Sequence, residues 1–313
     1  MNISHIVYIS NQAAILPALA KALRDQAGDH SREIILVDDA SVDDSLAIMQ
    51  KLAREDPTFR LLGSDVPMGA AAALAAGAEL AEGMWLHLMP VPGIMPINAC
   101  HALFDLMQTH HADVVCSQRE VSTQSAAELV GKTMVHAPDC TLTDHPLELL
   151  LKRKSLPDTL ICRRDIFDRS AAGTEHSSFA TESLPLQLAL IAQRWLTVEA
   201  PLLHLPADAT AAPDISLEQL KERFAIAREM LATQALLSEE QKRLLYRRAI
   251  SALRDYRIKG ELDGKLSEAT IAVLPSLWQY VLSQMPFTTP QPALLDAAAR
   301  SLNDSESRLS DAA

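Results

Sequence analysis

The stretch EIILVDDASVDD, residues 33–44, decides the fold. Four apolar residues, 34–37, follow one another without a polar interruption and lead directly into Asp38 and Asp39. An uninterrupted apolar run is typical of a strand that is covered on both faces, as in a parallel sheet. Polar groups at the carboxyl end of such a strand lie where open α/β sheets bind ligands. The stretch therefore predicts a buried strand whose end carries part of a binding site.

Strand and helix patterns alternate on both sides of this stretch. Such alternation predicts an α/β domain with a mainly parallel sheet and helices on both of its faces. The predicted strands comprise residues 5–10, 33–39, 59–64, 84–89, 113–118 and 158–163, with an extended segment at 195–205. The predicted helices comprise residues 12–26, 41–55, 69–81, 97–110, 145–153 and 182–193.

The chain of 313 residues is long enough for two domains, and 48% of its residues are hydrophobic. We predict a first domain at residues 1–206, a linker at 207–215, a helical region at 216–300 and a polar tail at 301–313. Within the helical region, SEEQ at residues 238–241 is a capping box that predicts the start of a helix. A third helix is predicted there at residues 268–283.

Charge and cysteine content exclude several classes of protein. The formal net charge of −12 argues against nucleic acid as the main partner, because phosphate binding depends on Lys and Arg. The four cysteines contain no CxxC pair, which argues against a zinc site, and scattered free thiols suit a reducing cytoplasm. No apolar run approaches the length of a membrane span. These features predict a cytoplasmic location.

Several landmarks in the first domain resemble family-2 glycosyltransferases, which have the GT-A fold. Residues 37–43 read VDDASVD, where that family has V-D-D-G-S-x-D. Gly69, Ala73 and Gly77 match the family's next helix in spacing, and Gly83 opens the strand after it. The segment LICRRDIF at 160–167 resembles the family's strand before the acceptor region. The resemblance covers residues 3–206 and implies a GT-A-type fold with a nucleotide-sugar donor.

The resemblance also implies roles for individual side chains. Asp38 or Asp39 would bind the nucleotide by accepting hydrogen bonds, with Ser10 and Ser41 in the same site. The alternative is structural: Asp39 and Ser41 would only cap the following helix, with Ser41 as its N-cap and Asp44 three residues later.

The chain departs from the family where the family binds its divalent cation. The family's D-A-D is replaced by Met89, Pro90 and Val91, whose side chains offer no oxygen ligand to a hard cation. The family's R-N pair is replaced by Leu74 and Ala75. We therefore expect no cofactor and no divalent cation.

Other residues could still supply the chemistry of transfer. Glu182 is the only carboxylate near the position of the family's E-D pair, so the resemblance implies that it is the general base. Arg163 and Arg164 would clamp the diphosphate in place of the metal, as Arg and Lys can, with solvated surface as the alternative.

Two functions remain open from the sequence. The first is metal-independent transfer of a sugar from a nucleotide donor. The second is a catalytically inactive homologue that binds a partner through its C-terminal helices. The segment 242–259 is basic in an acidic protein and could contact anionic lipid at the inner face of the membrane or pair with its own first domain. A receiver domain is excluded by the position of the acidic pair, and a Rossmann domain by the lack of GxGxxG.

Overall fold

The structure is a computed structural model that describes residues 2–28, 31–134, 138–153, 156–170, 180–207, 209, 217–233, 237–262, 295–296 and 299. The chain divides into two compact units, Met1–Ala212 and Pro213–Ala313. The predicted helix at 268–283 and most of the predicted linker lie outside the described residues.

The first unit is built on one eight-stranded sheet with the strand order β3-β2-β1-β4-β7-β5-β8-β6. Its strands are β1 (Asn2–Ile9), β2 (Ser31–Asp39), β3 (Phe59–Ser64), β4 (Trp85–Met89), β5 (Val114–Val121), β6 (Cys140–Thr143), β7 (Thr159–Arg163) and β8 (Trp195–Leu205). The first four strands pair in parallel, and β5 is parallel to β8. Two strands run against their neighbours: β7 between β4 and β5, and β6 at the edge beside β8. The predicted α/β fold class is confirmed.

The helices of the first unit cover both faces of the sheet, as the sequence predicts. They are α1 (Leu16–Arg24), α2 (Ser45–Glu55), α3 (Ala70–Leu80), α4 (Ala99–His110), α5 (Ala126–Leu129), α6 (Pro146–Lys152), α7 (Arg164–Arg169) and α8 (Ala180–Ile191). Side chains alternate along β2, so Ile35 and Val37 lie beneath α3. Ile34 and Leu36 belong to the main apolar core together with residues of α1 and α4.

The contact between α3 and the sheet depends on Gly77. A Cβ atom at this position would lie 2.4 Å from Cγ2 of Ile6 and 3.0 Å from Cγ2 of Val37. Real Cβ contacts are longer than the first distance, so only glycine lets the helix approach the sheet this closely.

Two local features of the first unit differ from the sequence-based expectation. Helix α2 begins at Ser45 rather than at residue 41 or 42, and its N-cap is Asp44, whose side chain makes no capping hydrogen bond. The sequence does not predict strand β6, because a run of only four residues is too short to carry a clear strand pattern.

The second unit contains the helices α9 (Leu217–Thr233) and α10 (Glu239–Leu262). The predicted capping box is present, since the N–H of Gln241 donates to Oγ of Ser238 at 3.1 Å and the N–H of Ser238 donates to Oε1 of Gln241 at 2.9 Å. Some basic groups of α10 pair within the helix, such as Lys242 with Glu239. In the described part of the chain, no helix combines the length and apolar character that crossing a membrane requires.

Candidate nucleotide site at the carboxyl edge of the sheet

Strands β1, β2 and β4 end at the same edge of the sheet, which we call the carboxyl edge. Val7 of β1 lies opposite both Leu36 of β2 and Met89 of β4. Because both pairings are parallel, strands β2 and β4 end on the same side of the sheet, with Asp39 and Met89 as their last residues. The sequence predicts this arrangement. The opposite side of the sheet is called the amino edge. The alternation of side chains then sends Asp38 and Asp39 towards different faces of the sheet.

Both carboxylate oxygens of Asp39 accept hydrogen bonds from other residues of the protein. Its Oδ1 accepts a hydrogen bond from the N–H of Met68 at 2.6 Å. Its Oδ2 accepts one from the N–H of Gly69 at 3.1 Å and one from the hydroxyl of Tyr8 at 3.0 Å. Gly69 is the N-cap of α3, so Asp39 fixes the start of that helix. The expectation that Asp39 caps α2 is wrong, because its carboxylate binds the N–H groups of Met68 and Gly69 at the start of α3.

Asp38 has a carboxylate oxygen that has no hydrogen-bond partner among the described residues. Its Oδ2 accepts a weak hydrogen bond from the N–H of Ser41 at 3.3 Å. Its Oδ1 is buried and makes no hydrogen bond to any described residue. An unsatisfied buried acceptor costs about 1–3 kcal/mol, which a ligand that donates a hydrogen bond would recover. Asp38 is therefore the side chain of the acidic pair that is suited to binding a ligand.

Tyr8 remains a hydrogen-bond donor across the physiological pH range. Burial and the adjacent charge of Asp39 raise the pKa of Tyr8 to about 12, while a hydrogen bond with Ser10 acts in the opposite direction. The protonated hydroxyl can therefore keep its bond to Asp39. Ser10, which the resemblance places in the nucleotide site, lies at the carboxyl edge immediately after β1 and contacts Tyr8.

The loops that follow β1 and β2 are held together by side-chain hydrogen bonds. Oγ of Ser41 accepts from the N–H of Asn11 at 3.0 Å, and Oδ1 of Asn11 accepts from the N–H of Val42 at 2.8 Å. Oδ2 of Asp43 accepts from the N–H of Ala13 at 3.0 Å. The predicted role of Ser41 as the N-cap of α2 is therefore wrong, because its hydroxyl is used between the two loops.

Two residues of these loops have left-handed backbone conformations without being glycine. The φ angle is 56° at Asn11 and 52° at Ala40. Asn tolerates this region, whereas Ala pays roughly 1–2 kcal/mol for it. Such strain is concentrated at functional sites, and here it lies directly after Asp38 and Asp39.

The end of β4 does not suit a hard divalent cation. The side chain of Met89 is fully buried and packs in the main apolar core. Pro90 is buried and Val91 is half-buried, and neither carries an oxygen on its side chain. Mg²⁺ and Mn²⁺ prefer oxygen ligands, so residues 89–91 do not fit the cation that the resemblance associates with this position.

Arg163 and Arg164 do not belong to this site, and the sequence-based assignment to diphosphate binding is corrected here. Arg163 pairs with Trp85 at the start of β4, and Trp85 lies opposite Ile3 of β1. Asp38 lies opposite Ile9, at the other end of β1. Six residues of strand separate the two levels, which is about 20 Å. The reason is that β7 is antiparallel, so its end reaches the amino edge.

Both arginines have structural partners at the amino edge. The guanidinium of Arg164 donates to the carbonyl oxygens of Ala78, Ala81 and Gly83 at 3.2, 2.6 and 2.9 Å. It thereby satisfies carbonyl groups at the end of α3, where a cation is favoured. Arg163 is exposed and pairs with Asp165 at 2.7 Å.

Glu182 lies in the first turn of α8. Its side chain lies outside the described residues, so its role as general base stays a prediction. Helix α8 ends near the amino edge, because the N–H groups of Gln193 and Arg194 donate to Oδ2 of Asp113 just before β5. The twelve residues of α8 span about 18 Å, so Glu182 is at the end of the helix that is remote from that edge.

Arg119 was missed in the sequence and lies at the carboxyl edge. Leu88 of β4 and Cys116 of β5 both pair with Leu160, so they lie at one level of the sheet. Arg119 is three residues beyond that level, as is Asp38. Its Nε lies 3.6 Å from Oδ2 of Asp158, and both side chains are largely shielded from solvent. The available signal was a basic residue at the end of a parallel strand.

Comparison with known proteins identifies the family. The model of glycosyl transferase family 2 matches residues 4–174, which is more than half of the chain. Glycosyltransferase GlyG of Streptococcus pneumoniae is 35% identical over 83 residues, 26% of this chain and 28% of GlyG. The undecaprenyl-phosphate 4-deoxy-4-formamido-L-arabinose transferase of Pseudomonas syringae is 27% identical over 173 residues, 52% of this chain and 50% of that enzyme. The chain thus spans half or less of the length of these two relatives.

A solved structure supports the same fold over a larger share of the chain. Residues 1–349 of TarS from S. aureus, in complex with UDP-GlcNAc, superpose with a TM-score of 0.59 at 16% identity. The superposition covers 97% of this chain and 92% of that chain. The likeness shows a shared fold, and together with the matched family model it leads to one conclusion: the chain belongs to glycosyl transferase family 2.

Proposed function

We propose that this chain binds a nucleotide sugar at the carboxyl edge of its sheet and transfers the sugar without a divalent cation at residues 89–91. The observation that carries the proposal is that Oδ1 of Asp38 is buried and has no partner in the part of the chain that the structure describes. Family membership and the fold of a protein that was crystallised with UDP-GlcNAc support the class of donor. The donor sugar and the acceptor stay open.

The nucleotide base would donate a hydrogen bond to Oδ1 of Asp38. A hydrogen bond to a charged group contributes about 1.5–3 kcal/mol. Because this oxygen is buried, we propose that the loops that carry Asn11 and Ser41 separate when the base binds. The hydrogen bonds between these loops would then be part of what binding has to replace. Ser10 and Ser41, at the same edge, would line the ribose side of the site.

The leaving diphosphate requires positive charge if no cation is bound. Arg119 supports this role, because β5 is two strands from β4, or about 10 Å. A guanidinium presents several donors in a fixed geometry that matches phosphate oxygens. In this scheme Asp158, at 3.6 Å from Arg119, would hold the guanidinium in place until the donor arrives.

Glu182 would deprotonate the acceptor hydroxyl. A general base must reach the proton that it abstracts, and its contribution is typically a factor of 10²–10⁴ in rate. Direct displacement by the deprotonated acceptor would invert the configuration at the sugar carbon. The diphosphate would leave with the bonding electron pair, and the proton would remain on Glu182.

The proposal is tested by thermal shift and calorimetry with a panel of nucleotide sugars, each with and without Mg²⁺ or Mn²⁺. A ligand that binds only the folded protein raises its melting temperature. We expect at least one donor to raise it in the absence of metal. Asp38→Asn should weaken that binding about tenfold or more, because the amide would turn its NH₂ towards the ligand's donor. Asp44→Asn is the matched control, since Asp44 is exposed and makes no capping bond.

Arg119→Gln separates the two halves of the site. The Arg119→Gln substitution should weaken the binding of a nucleoside diphosphate sugar more than the binding of the corresponding nucleoside, which lacks the phosphates. Strict dependence on Mn²⁺ would contradict the metal-independent scheme. If no nucleotide produces a thermal shift, the transferase function is contradicted.

The second candidate function is a catalytically inactive homologue that binds a partner. The observation that favours it is that Met89, Pro90 and Val91, at the end of β4, carry no oxygen on their side chains. Under this alternative no sugar is released or transferred, even where a nucleotide binds as a structural ligand. A sensitive assay for donor hydrolysis with the wild-type protein distinguishes the two.

A further inference from the structure

A buried polar cluster lies in the core on the α1 and α4 side of the sheet. His5 of β1 and His87 of β4 occupy directly opposite positions in the parallel pairing. Their Nδ1 atoms are 2.8 Å apart. Cys100, in the first turn of α4, completes the group, and ligand atoms of all three residues lie within 4.8 Å of one another. All three side chains are buried, and none has a role in the proposed sugar transfer.

Two imidazoles and a thiolate form a donor set that zinc prefers. Zinc binds histidine nitrogen at about 2.0–2.1 Å and cysteine sulfur at about 2.3 Å, with tetrahedral geometry. Donor atoms on one such ion are therefore separated by about 3.3–3.6 Å. The two nitrogens would have to move apart by roughly 0.5 Å, and any separation near the upper limit of 4.8 Å would have to shorten by about 1.2 Å, through changes in side-chain χ angles. The three donors would occupy three corners of the tetrahedron.

The cluster is held in position by further hydrogen bonds. Nε2 of His87 lies 2.6 Å from Oγ1 of Thr159 on β7. The N–H of Cys100 donates to Oε1 of Gln26 at 3.1 Å, and the amide of Gln26 donates to the carbonyl oxygen of Pro96 at 2.9 Å. Metal-binding histidines usually use their second nitrogen in such a bond, which fixes the ring and its tautomer.

The protonation states also suit a metal. Burial lowers the pKa of His87 to about 3 and also lowers the pKa of His5, so both rings are neutral and carry a lone pair. Burial raises the pKa of Cys100 to about 12, and the charge of Arg32 acts in the opposite direction. Binding must therefore displace the thiol proton to solvent. Where a ring carries its proton on Nδ1, that proton moves to Nε2, as the contact with Thr159 allows for His87.

We propose that His5, His87 and Cys100 together bind one zinc ion, or another divalent ion that prefers nitrogen and sulfur, as three of its ligands. Such a site would join β1, β4 and α4 beneath the carboxyl edge. A search for a CxxC pair does not find this site. Its two histidines are 82 positions apart in sequence and meet only in the sheet.

The test uses the full chain after treatment with a chelator, with Co²⁺ as the spectroscopic probe. Coordination of Co²⁺ by a thiolate gives a near-ultraviolet charge-transfer band. We expect this band to saturate at one equivalent in the wild-type protein and to disappear when Zn²⁺ is added. Cys100→Ser should lose the band. Cys162→Ser is the matched control, because Cys162 is equally buried and is not part of the cluster, and it should retain the band.

Stability gives a second readout. Zn²⁺ should raise the melting temperature of the wild-type and Cys162→Ser proteins but not that of Cys100→Ser. A missing band in the wild-type protein, or an equal band in Cys100→Ser, would overturn the proposal and leave the cluster as a buried hydrogen-bond network. If Cys100→Ser does not fold, X-ray absorption of the zinc-loaded wild-type protein decides. A shell that contains sulfur and nitrogen supports the site, and a shell of oxygen or nitrogen alone overturns it.

Discussion

The N–H of Met68 donates to Oδ1 of Asp39 at 2.6 Å, so the second carboxylate of the acidic pair fixes the start of α3. Asn at this position keeps only one acceptor oxygen for three donors. We expect Asp39→Asn to lower the free energy of unfolding by about 1–3 kcal/mol, measured by urea denaturation. Asp44→Asn should stay within about 0.5 kcal/mol of the wild type. Equal stability of the Asp39 variant and the wild type would contradict the role in fixing α3.

Ionisation of Tyr8 should lower the free energy of unfolding at alkaline pH. The pKa of Tyr8 is about 12 in the folded protein and near the ordinary tyrosine value of about 10 in the unfolded chain. A raised pKa means that the neutral form stabilises the fold, so this contribution is present below pH 10 and is lost as the pH rises towards 12. The absorbance of phenolate should show a late-titrating component that Tyr8→Phe removes. An unchanged late titration in the variant would contradict this assignment.

Arg164→Ala should destabilise the fold without affecting nucleotide binding. The substitution leaves the carbonyl oxygens of Ala78, Ala81 and Gly83 without their charged donor, which we expect to cost about 2 kcal/mol or more. Arg163→Ala is the control, because an exposed ion pair contributes about 0–1 kcal/mol. A folded variant of either residue that binds nucleotide more weakly would restore the diphosphate role that the sequence suggested.

Gly77→Ala should destabilise the protein through a steric conflict. The added methyl group would meet Ile6 at 2.4 Å, and overpacking of this kind costs about 1–3 kcal/mol. The better helix propensity of alanine offsets about 1 kcal/mol of this. At Gly63 an added Cβ has its nearest neighbours at 4.0 Å, so Gly63→Ala is the control with ordinary contacts. Comparison of the two by thermal unfolding checks the contact between α3 and the sheet.

Glu182→Gln should abolish sugar transfer and leave donor affinity unchanged, since a general base acts on the acceptor. The rate should fall by about 10²–10⁴-fold. Glu79→Gln, on the exposed side of α3, is the control and should transfer normally. Retained activity in the Glu182 variant would show that another group deprotonates the acceptor.

The sequence predicted the sheet better than the site, and β7 explains the difference. Mostly apolar runs mark β1, β2 and β4 as buried strands, because both of their faces are covered. The direction of a strand leaves no such mark, so residues 158–163 were correctly predicted as a strand while its orientation remained open. Because β7 is antiparallel, Arg163 and Arg164 arrive at the amino edge instead of the carboxyl edge.

Within the acidic pair, the sequence could not show which carboxylate is satisfied by the protein. The N–H groups that occupy Asp39 belong to Met68 and Gly69, almost thirty residues later, and they become visible only in the folded chain. The same holds for Ser41, whose partner Asn11 lies in another loop. Hydrogen bonds between distant loops have no local signature, unlike the capping box at Ser238.

The strand order also has a consequence for synthesis on the ribosome. Strands β1 to β4 lie within residues 2–89 and pair with one another, so this half of the sheet can assemble as soon as it has emerged. The other edge of β4 stays unpaired until β7 is synthesised, and β7 begins 70 residues after β4 ends. During that interval a buried strand of the finished protein is an open edge, which invites pairing with other chains. The nascent chain is therefore expected to need chaperone protection until residue 163 is available, and fragments that end after α4 should aggregate.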